Sequence, residues 1–326
     1  MNNQISENVV VVGGGSGTYT LISALRRAME DGALTSIHTT ADSGGSSRKL
    51  MDEYGLPLPM GDLRQGLVAQ SRKRRLWRDL FAYRFPPSVV GGGLSGHSLG
   101  NLILRALEEL NNGSLMEALV DAEEILNTVG HVVPVTLQQT TLHAELADGQ
   151  IVRGEDRIDQ PDSTSRAPIA RIYLDPVPEV TIRARKALAR AERIILGPGD
   201  LYTSILPNLL VRGVPEAIAE GDAEIIYIVN LMTKPGETDN YKASDFIGAV
   251  TQYLGQPPDT VLINVAEFEP ERLSQYADAG ARPVQPDIET VQGQVRRVIT
   301  DHFSSEQHYI RHDARKVLAK LWPQVV

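Results

Sequence analysis

The sequence contains no cysteine, which removes disulfides, thiolate metal sites and a cysteine nucleophile in one step. Aromatic residues are scarce at 5%, and no apolar run approaches the ~20 residues that a membrane-spanning helix requires. The first residues lack a basic segment followed by an apolar core, so the expectation is a cytoplasmic protein without membrane insertion. Positive charge is also in deficit. A formal net charge of −9 disfavours a general nucleic-acid or anionic-membrane binder, because neither polyanion is attracted to the molecule as a whole. An anionic ligand must then be held by local donors.

What is present fits an ordinary globular protein, with 326 residues, 42% of them hydrophobic and 22% charged. Around Val9 to Thr18 the sequence VVVVGGGSGT reads as a strand buried on both faces that turns sharply into a helix. Gly13, Gly14, Gly15, Ser16 and Gly17 then place backbone N–H groups at a helix N-terminus, where phosphate is well held because donors and helix dipole point the same way. Thr18 stands where a dinucleotide fingerprint carries its third glycine or alanine, and no Lys-Ser or Lys-Thr pair follows, so neither a standard dehydrogenase turn nor a P-loop is matched.

The same grammar recurs along the chain. A strand at 36–41 runs into Asp42, Ser43 and Gly44, where Asp42 is either a ribose or metal ligand or a helix N-cap. Asp62 opens another helix with the same two readings, N-cap or active-site carboxylate. Gly96, His97, Gly100 and Asn101 form a second glycine-rich entry to a helix, with His97 and Asn101 as added donors. A strand at 193–196 leads into Gly197, Gly199, Asp200, Tyr202 and Thr203, and one at 224–230 ends at Asn230, with Tyr241 beyond it. Ligands of open parallel sheets bind outside the carboxyl ends of the strands, so several such junctions on one sheet edge predict a site. The basic run 72–78 reads as a solvated helix face or as a flank for an anionic ligand or partner.

Strands alternating with helices predict an α/β protein, a Rossmann-like three-layer fold with a mostly parallel sheet, in a single domain over 1–326. A small β-hairpin and loop insertion is expected at about 141–168, as a lid or partner surface; its stretch 155–167 is too charged to read as core. The strand at 169–174 is expected to resume the main sheet. Further strands are predicted at 131–138, 260–265 and 296–301, with helices near 182–191, 244–253 and 313–321.

Six motifs in order carry a family resemblance: GGGSG (13–17), TADSGGSS (40–47), GDLR (61–64), GHSLGN (96–101), LGPGDLYTSILPNLLV (196–211) and NLMTKPGETDNY (230–241). Together they resemble the CofD/YvcK family, and the last two, with RHDARKVL (311–318), resemble its YvcK branch, the gluconeogenesis factors. The resemblance implies a Rossmann-like fold with the ligand across the strand ends. The CofD branch implies a magnesium-assisted 2-phospho-L-lactate transferase, in which Asp42 and Asp62 would be the catalytic and metal-binding candidates. The YvcK branch implies a nucleotide-binding regulator that holds a UDP-sugar such as UDP-N-acetylglucosamine. It is tied to carbon metabolism, cell-wall precursor supply and cell shape, and NAD(P) is a further ligand of such a fold. Where the CofD pattern has an acidic pair, this chain has Gly45 and Ser46, so no metal and no required cofactor are expected. Arg48-Lys49-Leu50 departs from the YvcK pattern but adds a cation that favours phosphate. The expectation is a binder of a small nucleotide ligand, with a homo-oligomer or protein partner left open. On this reading Gly13–Gly17 and Gly96–Gly100 hold the pyrophosphate, Asp42 or Asn230 meets a hydroxyl, 197–203 closes the site, and Tyr202 and Tyr241 either stack on the base or pack.

Overall fold

The computed structural model describes residues 4–41, 58–73, 75–86, 94–161, 166–306 and 309–325. Seven parallel strands form its centre: β1 (Val9–Val12), β2 (Leu34–His38), β3 (His131–Pro134), then, after three strands of a smaller sheet, β7 (Arg193–Leu196), β8 (Glu224–Ile228), β9 (Thr260–Asn264) and β10 (Arg297–Asp301). Their order across the sheet is β10-β9-β8-β7-β1-β2-β3. The chain therefore winds outward from β1 to β3, then returns to lay β7 on the other side of β1 and winds outward again. The switch of direction lies between β1 and β7, where open α/β sheets form a crevice at their carboxyl ends.

The apolar runs that predicted these strands are buried on both faces, as a sheet covered by helices on each side requires. Val10, Val12, Ile194, Leu196, Ile225 and Tyr227 face one core, and Val9, Val11, Ile195, Ile226 and Ile228 face the other. The second core is closed by the helix Gly15–Ala28 and by the C-terminal helix Ala314–Leu321 with Trp322. A separate cluster, with Leu63, Phe81, Leu104 and Leu119, joins the helices Gly61–Gln70, Arg75–Ala82, Leu99–Leu110 and Leu115–Leu126 beside β3. Ser114 caps the last of these, its hydroxyl accepting from Glu117 N–H at 3.3 Å.

Three expectations change. β2 pairs over 34–38 rather than 36–41, because its neighbours end at Val12 and Pro134. The insertion does not end at 168: β4 (Thr141–Leu146) and β5 (Ile151–Arg153) form the expected hairpin, but β6 (Ile169–Asp175) pairs antiparallel with β4 instead of rejoining the parallel sheet. The alternation of buried Ile172 and Leu174 with less buried neighbours fits a sheet with one covered face, which local sequence does not assign to a particular neighbour. Within the charged stretch, Glu155–Asp159 is a short helix that turns Ile158 into the core with no exposure at all. Asp42, Ser43, Gly44 and the variant Arg48-Lys49-Leu50 lie outside the described residues.

Close backbone approach fixes one edge of the sheet. A Cβ built on Gly130 would stand 1.9 Å from the Leu34 carbonyl oxygen, and 3.2 Å from Gln70 Oε1. Gly130→Ala is therefore expected to cost about 3 kcal/mol, the upper end of overpacking penalties. Urea unfolding measures it, and a loss below about 1 kcal/mol would contradict the approach.

Candidate functional site

The first turn is built almost wholly from backbone. Gly13 and Gly15 have φ of 149° and 73°, values that a side chain opposes, and they swing the chain from β1 into the helix Gly15–Ala28. Gly14 is the N-cap and offers no side-chain acceptor to the first helical N–H groups. Opposite it lies the turn after β7, and the two interlock: Thr18 Oγ1 donates to the Pro198 carbonyl at 2.7 Å, and a Cβ on Gly199 would stand 2.7 Å from the Gly14 carbonyl oxygen. A Cβ on Gly17 would meet the same Pro198 oxygen at 2.8 Å. Thr18, the residue that departs from the dinucleotide fingerprint, is thus a buried clasp between the two turns.

Beneath the turn, His38 Nδ1 donates to the Gly13 carbonyl at 2.8 Å, and its Nε2 accepts from the Ser36 hydroxyl at 3.0 Å. Complete burial pulls the His38 pKa down to about 4, opposed by the bond to Gly13, so the ring is neutral at pH 7. It acts as a fixed strut. On the far side, Asn230 Nδ2 donates to the Gly199 carbonyl at 2.9 Å and so ties the end of β8 to the turn after β7.

These turns form one wall of a cleft of about 340 Å³ at the switch point, within the range of small-molecule sites. Gly15, Ser16, Gly17, Gly199 and Asp200 line it. So do Met232, Lys234, Tyr276, Ile310, Arg311 and His312. Asn230 also borders the cleft, and its Oδ1 is buried without a hydrogen-bond partner. His312 Nε2 donates to the Val229 carbonyl at 3.1 Å, and burial pulls its pKa down to about 4, so Arg311 carries the charge of this segment.

Lys234 is the electrostatic hub. Its ammonium pairs with Asp159 of the helix Glu155–Asp159, lies 2.8 Å from Asp200 Oδ2, and stands 2.9 Å from Glu237 Oε1. Burial pulls its pKa down, but the three carboxylates outweigh burial and leave it above the ordinary lysine value. Glu237 has no exposed side-chain surface and accepts no well-directed hydrogen bond; burial raises its pKa to about 7 against the opposing pull of Lys234. The hub also binds the small sheet to the site, since Asp159 comes from the insertion and Arg166 Nε donates to the Gly236 carbonyl at 2.6 Å.

The other expected residues take different places. Gly100 and Asn101 support Arg64: Asn101 Oδ1 accepts from Arg64 Nε at 3.0 Å, and a Cβ on Gly100 would stand 2.7 Å from Arg64 Cδ. His97 is buried beside them in sequence, and neither Gly96 nor His97 lines the cleft. The lining of this cleft includes 15–17, 198–200 and 310–312 and no residue of 96–100. Tyr202 and Tyr241 join hydroxyls at 2.6 Å in the core and pack edge to face, away from the cleft wall, while Thr203 is buried with its hydroxyl directed at Asp159. Asp62 lies behind the first turn, where a Cβ on Gly14 would meet its Oδ2 at 2.5 Å. Lys234 and Arg311 were missed as individual residues, although both sit within motifs that marked the family.

Glu237 supplies a pH test. Its folded pKa lies above the ordinary carboxylate value, so its contribution to stability is fully present below the unfolded pKa and is lost as pH rises through about 7. The melting temperature of the wild type is expected to fall as pH rises from about 4.5 to 7 and to level off above that, and Glu237→Gln is expected to flatten that slope. An unchanged slope in the variant would show that Glu237 is already ionised.

Comparison with known proteins agrees with this architecture. Residues 9–304 match the family described as 2-phospho-L-lactate transferase CofD. The gluconeogenesis factor of Bacillus subtilis is 40% identical over 320 residues, covering 96% of each chain. The putative gluconeogenesis factor of Aquifex aeolicus is 36% identical over 315 residues, covering 95% of this chain and 94% of its own. A crystal structure of a Bacillus halodurans protein superposes with a TM-score of 0.90 at 37% identity, covering 97% of this chain and 99% of that one. The chain belongs to the CofD family, and its similarity to full-length relatives lies with the proteins named gluconeogenesis factor.

Proposed function

We propose that this protein is a cytoplasmic nucleotide-sugar-binding regulator, holding a UDP-sugar such as UDP-N-acetylglucosamine in the cleft between the turns after β1 and β7. Its role would be linked to carbon metabolism, cell-wall precursor supply and cell shape. The observation that carries the binding reading is the pairing of helix N-terminal backbone at Ser16 and Gly17 with the cation of Arg311 across one cleft. A pyrophosphate suits that arrangement, because it meets N–H donors and the positive helix end on one side and a guanidinium on the other. Met232, Tyr276 and Ile310 supply less polar surface for a base or sugar face, and Asn230 Oδ1 is an acceptor awaiting a hydroxyl. The regulatory role rests on the relatives' names, with the bound sugar nucleotide as the signal.

The described residues do not fit the magnesium of the transferase reading. The carboxylates nearest the cleft, Asp159, Asp200 and Glu237, already converge on the Lys234 ammonium, which repels a second cation. The Tyr19 hydroxyl donates to the Asp62 backbone carbonyl at 3.3 Å, and burial first, then the neighbouring Asp62 carboxylate, hold its pKa well above the ordinary tyrosine value. With Gly45 and Ser46 in place of the acidic pair, no catalytic step is assigned.

Calorimetry with UDP-N-acetylglucosamine tests the reading. Arg311→Ala is expected to weaken binding about tenfold or more by removing a charge-assisted contact. Gly17→Ala is expected to weaken it by forcing apart the clasped turns. Absence of binding by the folded wild type at about 1 mM ligand, a free energy near −4 kcal/mol, would overturn the proposal. Magnesium-dependent turnover that Asp62→Asn abolishes would favour the transferase instead.

A further inference from the structure

The helix Gly15–Ala28 begins at the nucleotide cleft, and its 14 residues carry its other end about 20 Å away, at the opposite end of the sheet. There a second, larger concavity of about 770 Å³ opens. Its walls are the last turn of that helix, the segment after the helix Gly61–Gln70, and the start of the helix Arg75–Ala82. Arg26, Arg27, Arg72, Lys73 and Arg78 converge on it in a protein whose net charge is −9. Arg72, Lys73 and Arg78 of the basic run thus join two arginines from a distant part of the sequence.

Part of this charge has a structural use. Arg26 donates to the Ser71 carbonyl, and Arg72 pairs with Asp31. Arg27, Lys73 and Arg78 have no ion-pair partner among the described residues, and the remaining carboxylate in the lining, Glu30, offsets one of those charges at most. Arg26 registers the crowding: burial first, and then Arg78, Arg27 and Arg72, lower its pKa below the ordinary arginine value. Like charges gathered this closely repel unless an anion lies among them.

The lining also limits the class of anion. It consists of charged side chains with Gln4 and Ser71, and contains no aliphatic or aromatic side chain on which a base, ring or acyl chain would rest. The volume is more than a single phosphate needs. We infer that this concavity is a second anion site, distinct from the nucleotide cleft, which binds a compact condensed phosphate of the triphosphate or polyphosphate type.

Inorganic triphosphate titrated into the full chain at about 0.1 M salt, where charges are screened beyond ~10 Å, tests the inference. Arg311→Ala is expected to bind triphosphate as the wild type does at this site. The double substitution Arg27→Gln with Arg78→Gln is expected to weaken it about tenfold or more while leaving the melting temperature and UDP-N-acetylglucosamine binding unchanged. Unchanged triphosphate affinity in the double variant, no binding by Arg311→Ala at about 1 mM, or equally tight binding of sulfate at the same ionic strength, would each overturn it. Polyphosphate that binds more tightly per chain than triphosphate identifies the longer source of the same chemistry and supports the site. Because the nucleotide reading is measured with a different ligand and different variants, failure of either leaves the other standing.

Discussion

The contact on which the rest of this structure depends is the approach of two backbone turns, one after β1 and one after β7, to within the reach of a single missing methyl. Glycine at 17 and 199 permits it, and Thr18 locks it through the Pro198 carbonyl. Two strand ends can be this close only where the sheet changes winding direction, because elsewhere a crossover helix fills the space above the strands. The close approach leaves helix N–H groups aimed at a narrow cleft, and His38 and Asn230 hold the turns from below and beside. A site made of backbone in this way needs few charged side chains of its own.

Charge is then supplied from far along the chain. Lys234 arrives from the loop after β8 and Arg311 from the segment before the last helix. They play different parts. Arg311 is exposed and has no carboxylate paired with it among the described residues, whereas Lys234 is committed to Asp159, Asp200 and Glu237. That commitment ties the small antiparallel sheet to the floor of the cleft. The insertion expected as a lid or partner surface is, in its described part, anchored to the site through Asp159 and Arg166.

The molecule separates its two concentrations of positive potential by the length of one helix. At the amino end of the helix Gly15–Ala28 the cleft uses the favourable end of the dipole and few cations. At its carboxyl end, where the dipole disfavours an anion, five basic side chains line the second concavity.

The amino-acid sequence by itself determined the strand and helix segments and the family. The apolar runs at 9–12, 194–196 and 225–228 have no charged residue to leave exposed, and glycine followed by a helical pattern marks a turn by local sterics alone. Ordered motifs carried the family because they are long and specific. Which turns face each other was decided only by tertiary structure. Gly13–Gly17 and Gly96–Asn101 look alike as sequence, yet Gly15–Gly17 line the cleft while Gly100 and Asn101 pack against Arg64, because strand order and not local composition sets their distance. For the same reason β6 joined the small sheet, Tyr202 and Tyr241 bonded to each other in the core, and Lys234 and Arg311 converged on one cleft across more than a full strand–helix repeat. Local sterics and hydrophobic periodicity are written residue by residue, whereas the meeting of distant loops depends on packing summed over the whole sheet.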